Sequence, residues 1–235
     1  MTKNIKITLG ILYLISLGLI LYGFFVFVDV TQLNNYSYIR DKTQFLIDLR
    51  DQNLIIFSSL FLIFVIIWIL LLGFASPIAL VAGFIFGKFF GTLISVLGFS
   101  IGCTLLYVFA NSYFKEVLLD RLAPKIIKFK ELFNKNEFFY YMVFRLAGGG
   151  GLPFALQNLL PVIFNMRVKS YFFSTLIGLF PVVFIVCAIG SGIENIIEQN
   201  LDPSFMTIVK SKEIYLPLIG FFLIVICSFF LRKIY

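Results

Sequence analysis

The sequence predicts an all-α polytopic membrane protein. We expect an inverted repeat with two re-entrant helical hairpins facing each other, plus full transmembrane helices. Three observations predict this fold: the composition, the lengths of the apolar runs and the distribution of basic residues. The 235 residues are 60% hydrophobic and 13% charged, with a mean hydropathy of +1.02, whereas a soluble domain carries about 25% charged residues. The net charge of +7 therefore indicates basic loops beside a membrane rather than a nucleic-acid partner.

The chain contains six predominantly apolar runs. They lie at 7–28, 54–87, 89–111, 138–164, 171–190 and 214–231. Four of these runs are close to the roughly 20 residues that one membrane crossing requires. We interpret the first as a retained transmembrane anchor, because it is too long for the core of a signal peptide and no A-x-A cleavage site follows it.

The second and fourth runs have lengths that fit neither one crossing nor two. They number 34 and 27 residues, whereas two crossings need about 40. Each also carries a helix-breaking segment near its middle, GFASP at 73–77 and GGGGLP at 148–153. We therefore interpret them as re-entrant hairpins, which leave the membrane on the side from which they enter.

The distribution of basic residues supports this interpretation. If both odd runs crossed the membrane once and the N-terminus were cytoplasmic, loop 112–136 with its six basic residues would lie outside the cell. If both runs are re-entrant, the cytoplasm receives 12 of the 19 basic residues and eight of the 12 acids lie outside. Only the re-entrant arrangement obeys the positive-inside rule, so we expect both termini to be cytoplasmic.

These assignments divide the chain into three parts. Residues 1–53 form the N-terminal anchor and an external amphipathic segment, 54–192 form the core, and 193–235 form an external loop and a C-terminal transmembrane helix. The core contains in order hairpin 54–87, span 89–111, cytoplasmic amphipathic helix 113–135, hairpin 137–164 and span 171–190. The apolar residues of the amphipathic helix recur at helical spacing opposite a Lys- and Glu-rich face, which is typical both of an interfacial helix and of a helix packed on the bundle.

The two hairpins and their following spans resemble each other. Pro77-Ile-Ala-Leu aligns with Pro153-Phe-Ala-Leu, and Gly98 in one span corresponds to Gly178 in the other. The two copies would enter from opposite faces, so the symmetry is inverted. Broken helices in both halves of an inverted repeat predict a transport site near the middle of the membrane.

Arg145 is the candidate centre of that site. Placing an arginine at the centre of a membrane helix costs about 2.5–3.5 kcal/mol, and no Asp or Glu occurs in any of the six apolar runs. Freed carbonyls, water or an anionic ligand must therefore be its partner. A guanidinium suits a phosphate because it binds two oxygens together. The glycines at 148–151 allow a ligand to approach the backbone, and the helix starting near Pro153 offers unpaired N–H groups.

The candidate substrate-binding residues lie at both tips. They are Arg145, Gly148, Gly149, Gly150, Gly151, Pro153, Gln157 and Asn158 at the second tip, and Ser76 and Pro77 at the first. Structural alternatives remain open for the polar residues. Arg145 could only tie down hairpin carbonyls or extend to the membrane surface, and Gln157 and Asn158 could only link helices.

We expect neither an enzyme nor a cofactor. The sequence contains no histidine, so this chain cannot form a Ser-His catalytic pair or a histidine metal site. No pair of carboxylates lies at membrane depth, and we assign no catalytic residue and no metal ligand.

The tip motif resembles that of a known family. The string from Arg145 through Pro153, Asn158, Gly178 and Pro181, downstream of a GFxxP-type tip, resembles the VTT domain of the DedA or SNARE-associated Golgi protein superfamily. It is most similar to the bacterial Tvp-like branch of that superfamily, over most of the chain. The resemblance implies two re-entrant hairpins, lipid translocation and a location in the cell (inner) membrane. It also implies phospholipid or polyprenyl-phosphate-type lipids as partners.

The first tip departs from the family pattern. Many DedA members carry acidic residues near this tip that are thought to support proton coupling, but here the tip reads GFASPIAL. We therefore expect a lipid translocator, scramblase or flippase-like, for a phosphate-bearing lipid. The alternatives are a small-ion or solute transporter that uses the same hairpins, or a structural membrane-homeostasis protein. Assembly into a homo-oligomer is compatible with each of them.

The topology can be tested at loop 112–136. We expect a cysteine introduced by Lys128→Cys, in a chain whose native cysteines are replaced, to resist membrane-impermeant thiol reagents in intact cells and to react once the membrane is opened. Labelling of Lys128→Cys in intact cells would contradict the re-entrant topology.

Overall fold

The computed structural model describes residues 36–116 and 136–198, together with isolated positions at 15, 18, 22, 211, 212, 214–217 and 219. The predicted anchor 7–28, most of the amphipathic helix 113–135 and most of the C-terminal helix 214–231 lie outside the described residues. The described part contains helices and turns and no strand, which confirms the all-α prediction. The chain forms two compact units, residues 1–57 and 58–235.

The described helices are numbered in chain order. They are α1 Tyr36–Gln52, α2 Leu54–Leu70, α3 Ala75–Tyr113, α4 Glu137–Leu146, α5 Phe154–Phe164 and α6 Val168–Glu198. Helix α1 belongs to the first unit, and everything from residue 58 onwards belongs to the second. Within the described ranges, two helices are long and apolar enough to cross a membrane, Ala75–Tyr113 and Val168–Ile196.

The helical structure is interrupted between α2 and α3, at the first predicted tip. Leu72 adopts a positive φ of 58°, which turns the chain at the end of α2. The indole Nε1 of Trp68 then donates a hydrogen bond to the carbonyl of Phe74 at 2.9 Å. This bond ties the last turn of α2 to the residue that precedes α3.

Helix α3 is itself interrupted. Gly87 has φ 75° and ψ 169°, which are not helical values, and this conformation is open chiefly to glycine. It separates a short helix at 75–86 from a long one at 88–113. The order is therefore helix, tip, short helix, break and long helix.

The second half of the core repeats this order. Helix α4 starts after Asn136, whose Oδ1 accepts a hydrogen bond from the Phe139 N–H at 3.1 Å. The chain then reverses through Gly148–Gly151, where all four φ values lie between 61° and 78°. Because left-handed backbone costs an L-residue about 1–2 kcal/mol, this run requires glycine. A short helix, α5, and the long helix α6 follow.

Glycines allow the short helix at 75–86 to contact α6 closely. A Cβ on Gly83 would lie 2.0 Å from the carbonyl oxygen of Cys187, and a Cβ on Gly190 would lie 2.1 Å from that of Leu80. The Cys187 thiol donates to the Ala79 carbonyl at 3.1 Å between the same two elements. Small residues that let helix backbones approach are typical of packing within membranes.

Equivalent packing in the two halves supports the predicted internal repeat. A Cβ on Gly98 would lie 2.6 Å from the side chain of Val65, and a Cβ on Gly178 would lie 2.7 Å from the Cβ of Arg145. In each pair the two residues are 33 positions apart. Val65 therefore occupies in α2 the place that Arg145 occupies in α4. The path of either hairpin relative to a bilayer stays a prediction.

The close contact at Gly83 predicts a strong effect of adding one methyl group. We expect Gly83→Ala to lower the free energy of unfolding by about 1–3 kcal/mol or more, because the new Cβ meets backbone atoms that cannot move aside. Gly18→Ala is the matched control, since a Cβ on Gly18 meets no described atom within 4 Å. Thermal melting of the purified protein in detergent measures both, and equal melting of the two variants would contradict the packing.

Candidate functional site

A cavity lies between the two tips in the second unit. Its volume is about 190 Å³. The first half of the core contributes Ala75, Ser76, Ala79 and Phe99, and the second contributes Arg145, Gly148, Phe154, Gln157, Leu179, Val182, Val183 and Val186. Apart from the backbone, its polar groups come from Ser76, Arg145 and Gln157. The cavity is therefore a partly open, mostly apolar pocket with one charged side chain in its wall.

The guanidinium of Arg145 is almost entirely buried, with 1% of the residue exposed. Its Nη1 donates to Oε1 of Gln157 at 3.1 Å. Its Nη2 donates both to Oδ1 of Asn158 and to the hydroxyl of Tyr171 at 3.1 Å. The side chain is thus held inside the protein and does not extend to a surface. Its oxygen partners are side-chain groups rather than the freed carbonyls that the sequence suggested.

Two aromatic rings flank the guanidinium. Its central carbon lies 5.2 Å from the ring centroid of Tyr141 and 5.3 Å from that of Phe154. A cation within about 6 Å of a ring face is attracted by the ring electrons. Tyr141 comes from the same helix as Arg145, four residues earlier, whereas Phe154 starts the helix beyond the glycines. The rings therefore join both arms of the second hairpin around the cation.

The charge of Arg145 has no carboxylate partner within the described residues. Every hydrogen-bonding oxygen described above is neutral, so the bonds orient the guanidinium without cancelling its charge. Two buried donors near it, Nε of Arg145 and Nδ2 of Asn158, also have no hydrogen-bond partner in the part of the chain that the structure describes. Buried donors are normally satisfied, so these two atoms are among the exceptions within the described part of the chain.

Gln157 connects the arginine to the glycine tip. While its Oε1 accepts from Arg145, its Nε2 donates to the carbonyl of Leu152 at 2.8 Å and, more weakly, to that of Gly148 at 3.4 Å. A Cβ on Gly149 would lie within 2.0–2.3 Å of the Gln157 amide group. Gly149 therefore makes room for Gln157, and it is this glutamine rather than Arg145 that ties down the hairpin carbonyls.

The structure brings some of the predicted site residues together and separates others. Those that line the cavity are Ser76, Arg145, Gly148 and Gln157. Asn158 contacts Arg145 from behind the cavity wall, and Gly149 is buried beneath Gln157. The remaining candidates, Pro77, Gly150, Gly151 and Pro153, are exposed and are not among the lining residues.

Sequence reasoning missed the aromatic residues around Arg145. Tyr141 could have been found, because residues four positions apart lie on one face of a helix. Tyr171 lies 26 positions from Arg145 and meets it only because α4 packs on α6 at Gly178. Its hydroxyl also donates to Oδ1 of Asn158 at 3.5 Å, so it holds two members of the network.

An ion pair closes the base of the second hairpin. The Arg167 Nε donates to Oε1 of Glu137 at 2.6 Å, and the Arg167 backbone N–H donates to Oε2 at 3.2 Å. These bonds join the first residue of α4 to the link between α5 and α6. Because the Arg167 side chain is 81% exposed, the pair contributes little stability by itself.

The network predicts a stabilising role for the Tyr171 hydroxyl. We expect Tyr171→Phe to lower the free energy of unfolding by about 1.5–3 kcal/mol, the usual range for a hydrogen bond to a charged group. Tyr113→Phe, at a site 54% exposed, serves as the control and should change stability by less than about 0.5 kcal/mol. Melting curves in detergent compare them, and an unchanged Tyr171→Phe protein would contradict the network.

Comparison with known proteins identifies the family. The VTT domain family matches residues 73–192, a range that includes both tips, the cavity and Arg145. The chain is also similar to the uncharacterized protein YqeD of Bacillus subtilis (strain 168), with 29% identity over 120 residues. That match covers 49% of this chain and 57% of the relative. No solved structure matches. The chain is a membrane protein that belongs to the VTT domain family.

Proposed function

We propose that this protein is a lipid translocator, scramblase or flippase-like, for a lipid with a phosphate head group. The observation that carries the proposal is the buried guanidinium of Arg145, which borders a cavity between two helix breaks and has only neutral hydrogen-bond partners among the described residues. An uncompensated positive charge in the apolar wall of a pocket attracts an anion more strongly than one in open water, because the low local dielectric weakens the field less than water does.

The chemistry of the guanidinium adds to this attraction. A phosphate carries several acceptor oxygens, and charge-assisted hydrogen bonds from arginine to phosphate are among the strongest in proteins. The site thus offers a phosphate both charge and geometry.

The size of the cavity favours a head group over a whole lipid. A volume of about 190 Å³ is below the roughly 300–1,000 Å³ of pockets that enclose a drug-sized molecule. A phosphate group fits this space while acyl chains stay in the surrounding lipid. A small soluble anion fits as well, and it is the second candidate substrate.

The first tip supports uncoupled movement. Ser76 is the polar side chain that this tip contributes to the cavity, and Val65 occupies the place equivalent to Arg145. With a single cation and no described carboxylate beside it, the site lacks a group whose protonation would drive transport. Movement of lipid would then follow its own concentration gradient.

Removing the charge tests the proposal. We expect Arg145→Gln, which keeps a polar side chain but loses the cation, to lower the rate of head-group flipping in proteoliposomes at least about tenfold, since one charged hydrogen bond is worth about 1.5–3 kcal/mol. Arg167→Gln provides the control: the same exchange at an exposed arginine should leave the rate near that of the unchanged protein.

Two results would contradict the proposal. One is full flipping by a folded Arg145→Gln protein. The other is uptake of inorganic phosphate or chloride by the unchanged protein without any lipid flipping, which would favour the soluble-anion candidate. Melting temperatures of both variants, measured in parallel, separate loss of transport from loss of folding.

A further inference from the structure

We infer that the side chain of Gln157 occupies the place of the ligand oxygen at Arg145, and that an arriving phosphate must displace it. This inference rests on the proposed function and deepens it by naming the residue that sets access to the cation. Gln157 Oε1 is a neutral acceptor on Nη1, and both residues border the cavity. An anion that enters the cavity and reaches Nη1 meets this amide first.

The guanidinium can stay in place when Gln157 leaves. Its Nη2 is held independently by Asn158 and Tyr171, and the Tyr141 and Phe154 rings flank it. Only the Nη1 contact depends on Gln157. The site therefore separates into a fixed side, which positions the cation, and a replaceable side, which faces the cavity.

Displacement of Gln157 couples the ligand to the glycine tip. The amide Nε2 is bonded to the carbonyls of Leu152 and Gly148, so moving the side chain releases both ends of the turn at once. This turn consists of glycines with positive φ, whose backbone freedom makes it the most easily rearranged part of the hairpin. Binding at Arg145 would thus loosen the glycine turn at the second tip, which borders the cavity between the two halves of the core.

The neutrality of Gln157 also determines which ligands compete successfully. A phosphate oxygen carries negative charge and replaces a neutral amide oxygen favourably, because charge-assisted hydrogen bonds are about twice as strong as neutral ones. An uncharged lipid such as a diacylglycerol offers only neutral oxygens and gains nothing by the exchange. A glutamate at this position would instead hold the cation in a permanent ion pair.

Binding of a short-chain phosphatidic acid, measured by calorimetric titration of the purified protein, tests the inference. We expect Gln157→Met, which fills the space with only a weak hydrogen-bond acceptor, to bind on the order of tenfold more tightly, and Gln157→Glu to bind at least about tenfold more weakly. The phosphate-free diacylglycerol of the same chain length should bind all three proteins equally. The exposed Gln52 provides matched controls, Gln52→Met and Gln52→Glu, which should leave the affinity unchanged.

The inference is overturned if folded Gln157→Met binds phosphatidic acid no more tightly than the unchanged protein, or if Met and Glu weaken binding alike, as a purely structural role would produce. Should Gln157→Met fail to fold, Gln157→Asn withdraws the amide oxygen by one methylene and is expected to tighten binding in the same direction. An unchanged or weaker affinity of Gln157→Asn would then overturn it.

Flipping assays on the same proteins distinguish the two claims. If the unchanged protein flips lipid, Arg145→Gln does not, and Gln157→Met binds like the unchanged protein, the inference fails and the proposed function stands. If no protein flips lipid but the binding order holds, the proposed function fails while the displaceable contact is established. Absence of any phosphatidic acid binding by the unchanged protein would overturn both.

Discussion

The structure depends on a buried arginine that is held but not neutralised. Arg145 is 1% exposed, and its guanidinium is bonded to one hydroxyl and two amide oxygens and lies between two rings. Burial of an unpaired charge is unfavourable unless hydrogen bonds offset it. The surrounding helices follow from this requirement. Helix α6 supplies Tyr171, and α5 returns across the glycine turn to supply Gln157 and Asn158.

The repeat shows where the cation lies and which residue replaces it in the other copy, within the described residues. Val65–Gly98 and Arg145–Gly178 are equivalent pairs with the same spacing and the same close approach. One geometry is therefore built twice, and a valine fills the buried position in the first copy where the second copy has the arginine. The two tips meet at one cavity, but its charge comes from one half. In our account that asymmetry makes a single head-group site rather than two.

The composition and the breaks were readable from the sequence, whereas the contacts of the site were not. Hydropathy and glycine content are local properties, so the all-α class and the special backbone at 148–151 could be predicted. Arg145 could be singled out because a charge in an apolar run is rare. Tyr171 and Phe154 could not, since their proximity to the guanidinium depends on how α4, α5 and α6 pack. The exposed positions of Pro77 and Pro153 likewise depend on tip geometry that no pattern encodes.

The central claim is that Arg145 binds the phosphate of a lipid between the two tips. The most direct measurement is an experimentally determined structure of the protein in nanodiscs that contain phosphatidic acid. Our account predicts phosphate density within hydrogen-bond distance of the Arg145 guanidinium, with the Gln157 amide moved away from Nη1 and the acyl chains outside the cavity. Lipid phosphates ordered only at the membrane surface, with Gln157 still bonded to Arg145, would contradict it.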